Sequence, residues 1–160
     1  MSIKLVRIIW ISLLTILIAW LLWQAIVPSG RISYFNNFSK ENYFIGELVP
    51  VDRIKNGHEL TDEPVYFSVY TARTFYKAVV ALSFETPTPA LQVGLEINKA
   101  LWQYDFKQIK EGTVKTTLEF NLHGASRKNG KYIFMISDPN LKQQNKSIII
   151  KDVSIELNDL

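Results

Sequence analysis

Hydrophobic and polar positions divide this chain into two parts with different periodicities. Residues 8–28 contain no charged side chain; Lys4 and Arg7 precede this run and Arg31 follows it. A helix rises about 1.5 Å per residue, so a run of this length matches the roughly 30 Å hydrocarbon core of a bilayer. The pattern predicts a single transmembrane α-helix over 8–28.

Three other interpretations of the apolar run are weaker. A cleaved signal peptide has a shorter apolar core and ends at small residues, whereas this run ends through bulky residues around Trp23. A buried helix of a soluble protein would keep a polar stripe. Prepilin-like helices resemble the run in length, but they follow a small-residue processing site and carry an early glutamate, which this sequence lacks. We therefore predict a signal-anchor that is retained.

Basic residues before the run predict its orientation. Lys4 and Arg7 precede it without any acidic residue, and short basic segments stay on the cytoplasmic side of a membrane. Arg31 opposes this orientation by one charge only. We expect 1–7 to be cytoplasmic and the rest of the chain to lie outside, in a periplasmic or extracellular position.

Aromatic residues near both ends of the run fit an interfacial belt. Trp10 lies towards the inner end, and Trp20 lies towards the outer end. The alternative, that these rings are merely apolar and face lipid, stays open. The predicted anchor residues are Ile8, Trp10, Trp20, Trp23 and Pro28.

Beyond residue 31, apolar and polar side chains alternate along the chain. Such alternation is typical of strands that bury one face, and turn residues such as Asn, Gly and Pro separate the segments. The pattern predicts an all-β domain, a two-layer antiparallel β-sandwich of eight or nine strands. We expect 29–41 to be a juxtamembrane stretch that could hold a first strand, and 42–160 to form the sandwich. A change of parity near Lys151 predicts a β-bulge in the last strand.

The predicted sandwich is nearly neutral. The chain has 18 basic and 15 acidic residues; without Lys4 and Arg7 the remainder carries 16 against 15, a net charge of +1. There is no basic block, which argues against nucleic-acid binding. Cysteine is absent, which excludes thiol catalysis, iron–sulfur clusters and thiolate zinc sites.

The last strands and the turn between them resemble the galactose-binding-like jelly rolls of carbohydrate-binding modules. The likeness lies in the penultimate strand at 130–137, the turn at 138–141 and the final strand at 148–157. It covers about 32–160 and rests on pattern, so no ligand-binding residue is carried over from it. The resemblance implies a jelly-roll fold and recognition of glycan.

Aromatic residues supply the ligand-binding candidates. Trp102, Tyr104 and Phe106 alternate with polar residues, and a row of rings at strand spacing can stack against sugars. The same row is equally typical of a sandwich core, and this is the preferred interpretation for these rings. If the other set of rings faces outward, Tyr66 and Tyr70 are the exposed ones. The candidate ligand-binding residues are therefore Trp102, Tyr104, Tyr66 and Tyr70.

No catalytic or metal site is expected. The acidic residues Glu96, Asp105, Glu111 and Glu119 are too scattered for a glycosidase-like pair to be inferred from their spacing. The two histidines, His58 and His123, are far apart in sequence. We predict no catalytic residue, no metal and no cofactor. The alternative of a structural calcium would draw on Asp138 or Asp152.

Two hypotheses of function remain. The first is a membrane-anchored binding module that presents its sandwich to glycan outside the membrane. The second is an accessory or assembly subunit of a membrane or surface complex, which binds protein rather than sugar. The apolar segment 42–50 fits either an edge strand or a docking surface for such a partner. Both hypotheses include the lipid bilayer as a partner, and neither is an enzyme.

Overall fold

The chain folds into two units, a helical one at 1–31 and a β-rich one at 32–160. The computed structural model describes residues 3–26, 30–38, 42–139, 141 and 147–159, without the side chains of 3–5 and 23–26.

The first unit contains helix α1, Ile3–Ile26. Its side chains from Arg7 to Leu22 are exposed, and those after Arg7 are uncharged. Thr15 Oγ1 donates a hydrogen bond to the Ile11 carbonyl at 2.9 Å, so this hydroxyl is satisfied within the helix. Within the described residues, no helix is both long and apolar enough to cross a membrane. Of the helix predicted over 8–28, the structure shows the part up to Ile26, and residues 27 and 28 lie outside the described residues. Its membrane-spanning character is not supported.

The predicted anchor and topology residues are only partly described. Ile8, Trp10 and Trp20 lie exposed on α1. The side chains of Lys4 and Trp23 and the whole of Pro28 lie outside the described residues. The tryptophan belt therefore stays a prediction.

The second unit is a β-sandwich. Eight strands of six to eleven residues match the eight or nine that the alternation predicts, and there are two further strands of two residues each. A 3-10 turn at Val51–Arg53 precedes the short pair. The strands are β1 (Arg31–Asn36), β2 (Ile54–Lys55), β3 (Glu59–Leu60), β4 (Val65–Tyr70), β5 (Lys77–Phe84), β6 (Leu91–Asn98), β7 (Gln103–Ile109), β8 (Lys115–Asn121), β9 (Lys131–Ser137) and β10 (Ile148–Asn158).

The strands form one six-stranded and one four-stranded sheet. The first has the order β2-β3-β10-β5-β8, with β1 also paired to β10, and the second has the order β4-β9-β6-β7. Each connection between the longer strands crosses to the other sheet, except the β6–β7 hairpin. This connectivity is the double Greek-key order of a jelly roll. The expected bulge in the last strand is confirmed, because the register of β10 against β5 shifts between Ile150 and Asp152.

Three phenylalanines join the two sheets at the centre of the core. Phe67 and Phe134 of the four-stranded sheet stack at 5.2 Å between ring centroids. Phe120 of the six-stranded sheet meets Phe134 edge to face at 5.4 Å. All three side chains are buried, so Phe134 contacts aromatic rings from both layers.

The apolar segment 42–50 lies along the outer edge of β4. Val49 and Tyr66 form an isolated antiparallel bridge, as do Ile45 and Val69. Ile45 is buried in the core. The segment thus serves as the edge strand that was one of its two predicted roles, and it covers the backbone groups that β4 would otherwise expose.

We predict that Phe134→Ala lowers the free energy of unfolding by about 3–5 kcal/mol, because it leaves a cavity between the two sheets. Phe35→Ala is the matched control: this phenylalanine of β1 is 59% exposed, and its removal should cost about 0.5 kcal/mol or less. Urea denaturation of the full chain, followed by near-ultraviolet circular dichroism, measures both. Equal losses for the two variants would contradict this packing.

Candidate ligand-binding face

The outer surface of the four-stranded sheet gathers aromatic rings from separate strands. Directly paired residues of antiparallel strands share a face. Met135 pairs with Tyr66 on one side and with Gly94 on the other, and Gly94 pairs with Phe106. Two residues further along the same pair of strands, Glu96 pairs with Tyr104. We call the surface formed by Tyr66, Trp102, Tyr104 and Phe106 the aromatic face.

The aromatic side of β7 points outward, so the preferred interpretation of its rings as core is wrong. Asp105 pairs with Leu95, a core residue, and therefore lies on the inner side of the sheet. Its Oδ1 forms an ion pair with Lys107 Nζ at 3.4 Å. The physical reason is that β7 is an edge strand, where inward charges still reach water and discourage pairing with another strand.

Gly94 makes room for the Phe106 ring on the aromatic face. A Cβ atom at Gly94 would lie 2.7 Å from Phe106 Cε1 and 3.2 Å from Tyr104 Cβ. The ring therefore packs directly on the glycine backbone, as aromatic residues do opposite glycine in sheets. Tyr104 and Phe106 also contact each other, with ring centroids 5.7 Å apart.

Trp102 is held over this face by the β6–β7 hairpin. The register of β6 against β7 shifts between Glu96 and Asn98. Asn98 Oδ1 accepts hydrogen bonds from the backbone N–H groups of Ala100 at 3.0 Å and Leu101 at 3.3 Å. Trp102 has a φ of +51°, a left-handed conformation that is unusual for a bulky residue. Its side chain is 74% exposed, so the hairpin presents an indole ring to solvent at a cost in backbone strain.

Trp102 and Tyr66 line an open depression of about 520 Å³. Arg53 lies at the same depression and its Nη1 donates to the Pro64 carbonyl at 2.7 Å, which fixes the guanidinium at the rim. The described lining residues are Val49, Pro50, Arg53, Pro64, Tyr66 and Trp102. Rings and prolines with a few polar groups are typical of small-ligand sites.

A buried carboxylate lies among the rings. Glu96 is 5% exposed although it faces outward, and it shares a hydrogen bond with the Tyr104 hydroxyl. Burial raises the pKa of Tyr104 to about 12, with further contributions from Tyr66 and from the charge and hydrogen bond of Glu96. Since a carboxylate only accepts hydrogen bonds, the Tyr104 hydroxyl donates here and is held in its neutral form.

Tyr66 lies within the electrostatic reach of two opposite charges. Its pKa is raised chiefly by burial; the positive charge of Arg53 lowers it, and the smaller effect of the negative charge of Glu96 raises it. The aromatic face therefore holds a phenol between a guanidinium at the rim and a carboxylate beneath the rings.

Three of the four predicted ligand-binding residues meet on this face, and the fourth does not. Tyr70 pairs with Lys131 and packs against Gly130, whose Cβ would lie 2.8 Å from the Tyr70 ring. Tyr70 lies within electrostatic reach of Tyr34, whose pKa is raised by burial and further by Tyr70, and Tyr34 stacks on Phe44 at 4.6 Å between ring centroids. Tyr70 thus belongs to a separate cluster.

Arg53 and Glu96 were not among the predicted ligand-binding residues. Arg53 lies in a segment without periodicity, so nothing in the sequence placed it beside Tyr66. Glu96 had a usable signal, because it is the acidic residue on the polar side of β6 just before the hairpin that ends at Trp102. Only the pairing of Glu96 with Tyr104 shows that this polar side is also the aromatic side of β7.

The histidines and the candidate calcium ligands are placed elsewhere. His58 lies in the turn between β2 and β3, and His123 follows β8. The Asp152 carboxylate accepts a hydrogen bond from Ser83 Oγ at 2.8 Å, and Asp138 is buried directly after β9. Among the described residues, no group of three or more acidic, histidine or cysteine side chains is placed to hold a metal ion.

Comparisons with known proteins show only remote similarity. No protein-family model matches the chain, and no curated protein is significantly similar to it. A Podospora anserina GH26-CBM35 β-(1,4)-mannanase is similar at 10% identity and a TM-score of 0.40, over 81% of this chain and 28% of that one. TmCBM61 in complex with β-1,4-galactotriose is similar at 12% identity and a TM-score of 0.27, over 86% and 90%. Tobacco streak virus coat protein is similar at 12% identity and a TM-score of 0.36, over 82% and 87%.

We predict that Tyr104 titrates with a pKa of about 12, whereas an unperturbed tyrosine titrates at about 10. The difference between wild type and Tyr104→Phe in near-ultraviolet tyrosinate absorbance isolates this hydroxyl. Glu96→Gln should lower the pKa of Tyr104, because it removes a negative charge beside the phenol. Titration of Tyr104 together with ordinary tyrosines would show that its hydroxyl is not buried against Glu96.

The same shift has a consequence for stability. The folded-state pKa of Tyr104 lies above its unfolded value. The contribution of the protonated Tyr104 hydroxyl to the free energy of unfolding is therefore complete below a pH of about 10 and is lost as the pH rises through about 12. Tyr104→Phe should therefore lose less stability than wild type over this range.

Proposed function

We propose that this chain is a glycan-binding module whose ligand lies on the aromatic face. The observation that carries the proposal is the convergence of Tyr66 of β4 with Trp102 and Tyr104 of the β6–β7 hairpin on one surface beside the buried Glu96. Exposed rings of this kind match the apolar C–H faces of sugars. Hydroxyl, carboxylate and guanidinium groups beside the rings match the sugar hydroxyls.

The proposal includes binding without catalysis. Glycoside hydrolysis needs two carboxyl groups placed about 5 to 10 Å apart on either side of the scissile bond. The described residues that line the depression include an arginine and a tyrosine but no acidic residue, and Glu96 lies beneath the rings. A single buried carboxylate supports recognition and not bond cleavage.

We also propose that α1 holds the sandwich at a membrane, with 1–7 on the cytoplasmic side and the sandwich outside. No charged residue lies between Arg7 and Arg31. The hydroxyl of Thr15 is hydrogen-bonded to the Ile11 carbonyl within the helix, which lowers the cost of placing this polar group in lipid. A module outside the membrane would meet glycan directly.

A protein-binding accessory subunit is the second candidate. Val51 and Leu101 are each 72% exposed, and each is the sequence neighbour of a residue that lines the depression. Exposed aliphatic side chains beside rings are common at protein interfaces. Sugar binding requires the rings, whereas protein binding would also depend on these aliphatic side chains.

Our prediction for the proposed function concerns Trp102. The full chain in mild detergent should bind at least one neutral polysaccharide among mannan, galactan, glucan and xylan, measured by affinity electrophoresis and calorimetry. Trp102→Ala should weaken that binding about tenfold or more, as loss of a central aromatic anchor does. Tyr43→Ala, which removes a ring that is 92% exposed outside the aromatic face, should leave the affinity unchanged.

Binding to none of these polysaccharides would refute the glycan hypothesis. If Val51→Ser and Leu101→Ser instead abolished association with a purified protein partner while Trp102→Ala did not, the accessory-subunit hypothesis would be preferred.

The membrane proposal predicts that the full chain stays in the membrane pellet after alkaline carbonate extraction. Protease added to intact cells should remove the sandwich and leave α1 protected. A variant with Leu14→Arg and Ile18→Arg, which places two charges in the exposed apolar part of α1, should move into the soluble fraction. Recovery of the wild-type chain in the soluble fraction would contradict the proposal.

A further inference from the structure

Arg53 is the charged group of the depression on the aromatic face. Of the described residues that line the depression, it alone carries a charge. Its Nη1 donates to the Pro64 carbonyl at 2.7 Å, which holds the guanidinium beside Tyr66 and Trp102. Within the described part of the chain, the guanidinium makes no second hydrogen bond and no ion pair. Because an arginine has five N–H donors in one planar group, most of them remain available to a ligand.

Glu96 lies farther from the depression than Arg53 does. Tyr66 is on β4 and Glu96 is on β6, with β9 between the two strands, and Glu96 lies two residues beyond Gly94, the glycine in the same row as Tyr66. Two strand spacings place these backbones about 10 Å apart. Glu96 is hydrogen-bonded to Tyr104 and does not line the depression. At the Tyr66 hydroxyl, the effect of Arg53 is accordingly larger than that of Glu96.

The carboxylates nearest to Arg53 in sequence do not line the depression. Asp52 is exposed in the 3-10 turn, where water and salt screen its charge. Asp62 Oδ1 accepts the backbone N–H of Glu63 at 2.9 Å, and the Glu63 carboxylate accepts a hydrogen bond from Ser137 Oγ. The electrostatic field in the depression is therefore set mainly by the guanidinium, and a ligand there meets a positive charge with free N–H donors.

We infer that the depression prefers glycans that carry a carboxylate, such as those with uronic acid units, over neutral glycans. A sugar ring stacked on Tyr66 or Trp102 lies beside Arg53, whose planar donors match the two oxygens of a carboxylate. A neutral sugar can make the same stacking contact, but it gains only the weaker hydrogen bonds of an uncharged acceptor. An ammonium group at the same position is repelled. This inference rests on the proposed glycan-binding function and adds the charge class of the ligand.

Oligosaccharides that differ only at C6 test the inference. Glucan, mannan and galactan oligosaccharides are each prepared in three forms, with hydroxymethyl, carboxylate or aminomethyl at C6. Their affinities for the full chain in mild non-ionic detergent are measured by calorimetry at neutral pH. On the backbone that binds, the carboxylate form should bind about fivefold tighter than the neutral form, and the aminomethyl form should bind more weakly than the neutral one. Raising NaCl from about 0.05 M to about 0.5 M should reduce this preference, because salt screens charges.

Variants of Arg53 identify the group responsible. The readout is the ratio of the affinity for the carboxylate form to the affinity for the neutral form, so a general loss of binding does not change it. Arg53→Gln should lower this ratio to about one or below, and Arg53→Lys, which keeps the charge without the planar donors, should retain part of the preference. Lys77→Gln is the matched control: it removes the same charge, but Lys77 Nζ pairs with Glu119 at 2.7 Å on the six-stranded sheet. It should leave the ratio unchanged.

The outcomes distinguish this inference from the function on which it rests. Failure of every form to bind would refute glycan binding itself. Equal or tighter binding of the neutral form would overturn the carboxylate preference and leave glycan binding intact. An unchanged ratio in Arg53→Gln, or an equal fall in Lys77→Gln, would also overturn it, since Arg53 would then not be the group responsible. Near-ultraviolet circular dichroism verifies that each variant is folded, and the wild-type comparison with its salt dependence decides even if one is not.

Discussion

The aromatic face exists because the opposite face of the same sheet is committed to the core. Leu95, Phe134 and Phe67 are directly paired across β6, β9 and β4 and are buried against the other sheet. Side chains alternate strictly along a strand, so a shift of one residue would exchange the two faces. Burial of this central row therefore fixes the orientation of its neighbours, and Tyr66 and Glu96 point outward as a consequence of core packing.

The residues that protect the edge of the sheet at β7 also determine which way its rings face. A free edge of a sandwich invites pairing with another chain, and inward-pointing charges prevent it. Asp105 and Lys107 occupy the inner side of β7, and strand alternation then requires Tyr104 and Phe106 to face outward. The opposite edge of the sheet is covered by the 42–50 segment. That segment also brings residues of the depression alongside Tyr66. Both edges are thus protected by elements that build the candidate site.

The sequence allowed more of the fold than of the site to be predicted. Alternation and turns were sufficient for the sandwich, for its eight longer strands and for the bulge in β10, because these depend on local periodicity. The orientation of β7 could not be predicted in this way, since hydrophobicity alone places Tyr104 inside and Asp105 outside. The roles of Glu96 and Arg53 depend on which strands are neighbours, and strand order follows from contacts between residues far apart in sequence. Trp102 could be identified as a candidate, but its left-handed backbone could not.

Several features of the aromatic face lower the stability of the fold, and the proposed binding of a ligand there would account for them. A left-handed tryptophan and an outward carboxylate that is nevertheless buried each cost free energy in the folded state, and the exposed indole ring forgoes the gain that burial would bring. Natural domains tolerate such costs mainly where a ligand benefits from a rigid arrangement formed before it binds. The structure also supplies the supports that rigidity requires: Asn98 fixes the hairpin, Pro64 fixes Arg53, and Tyr104 fixes Glu96. A surface whose purpose was only to cover the sheet would need none of these, because an apolar residue at position 96 would pack at lower cost.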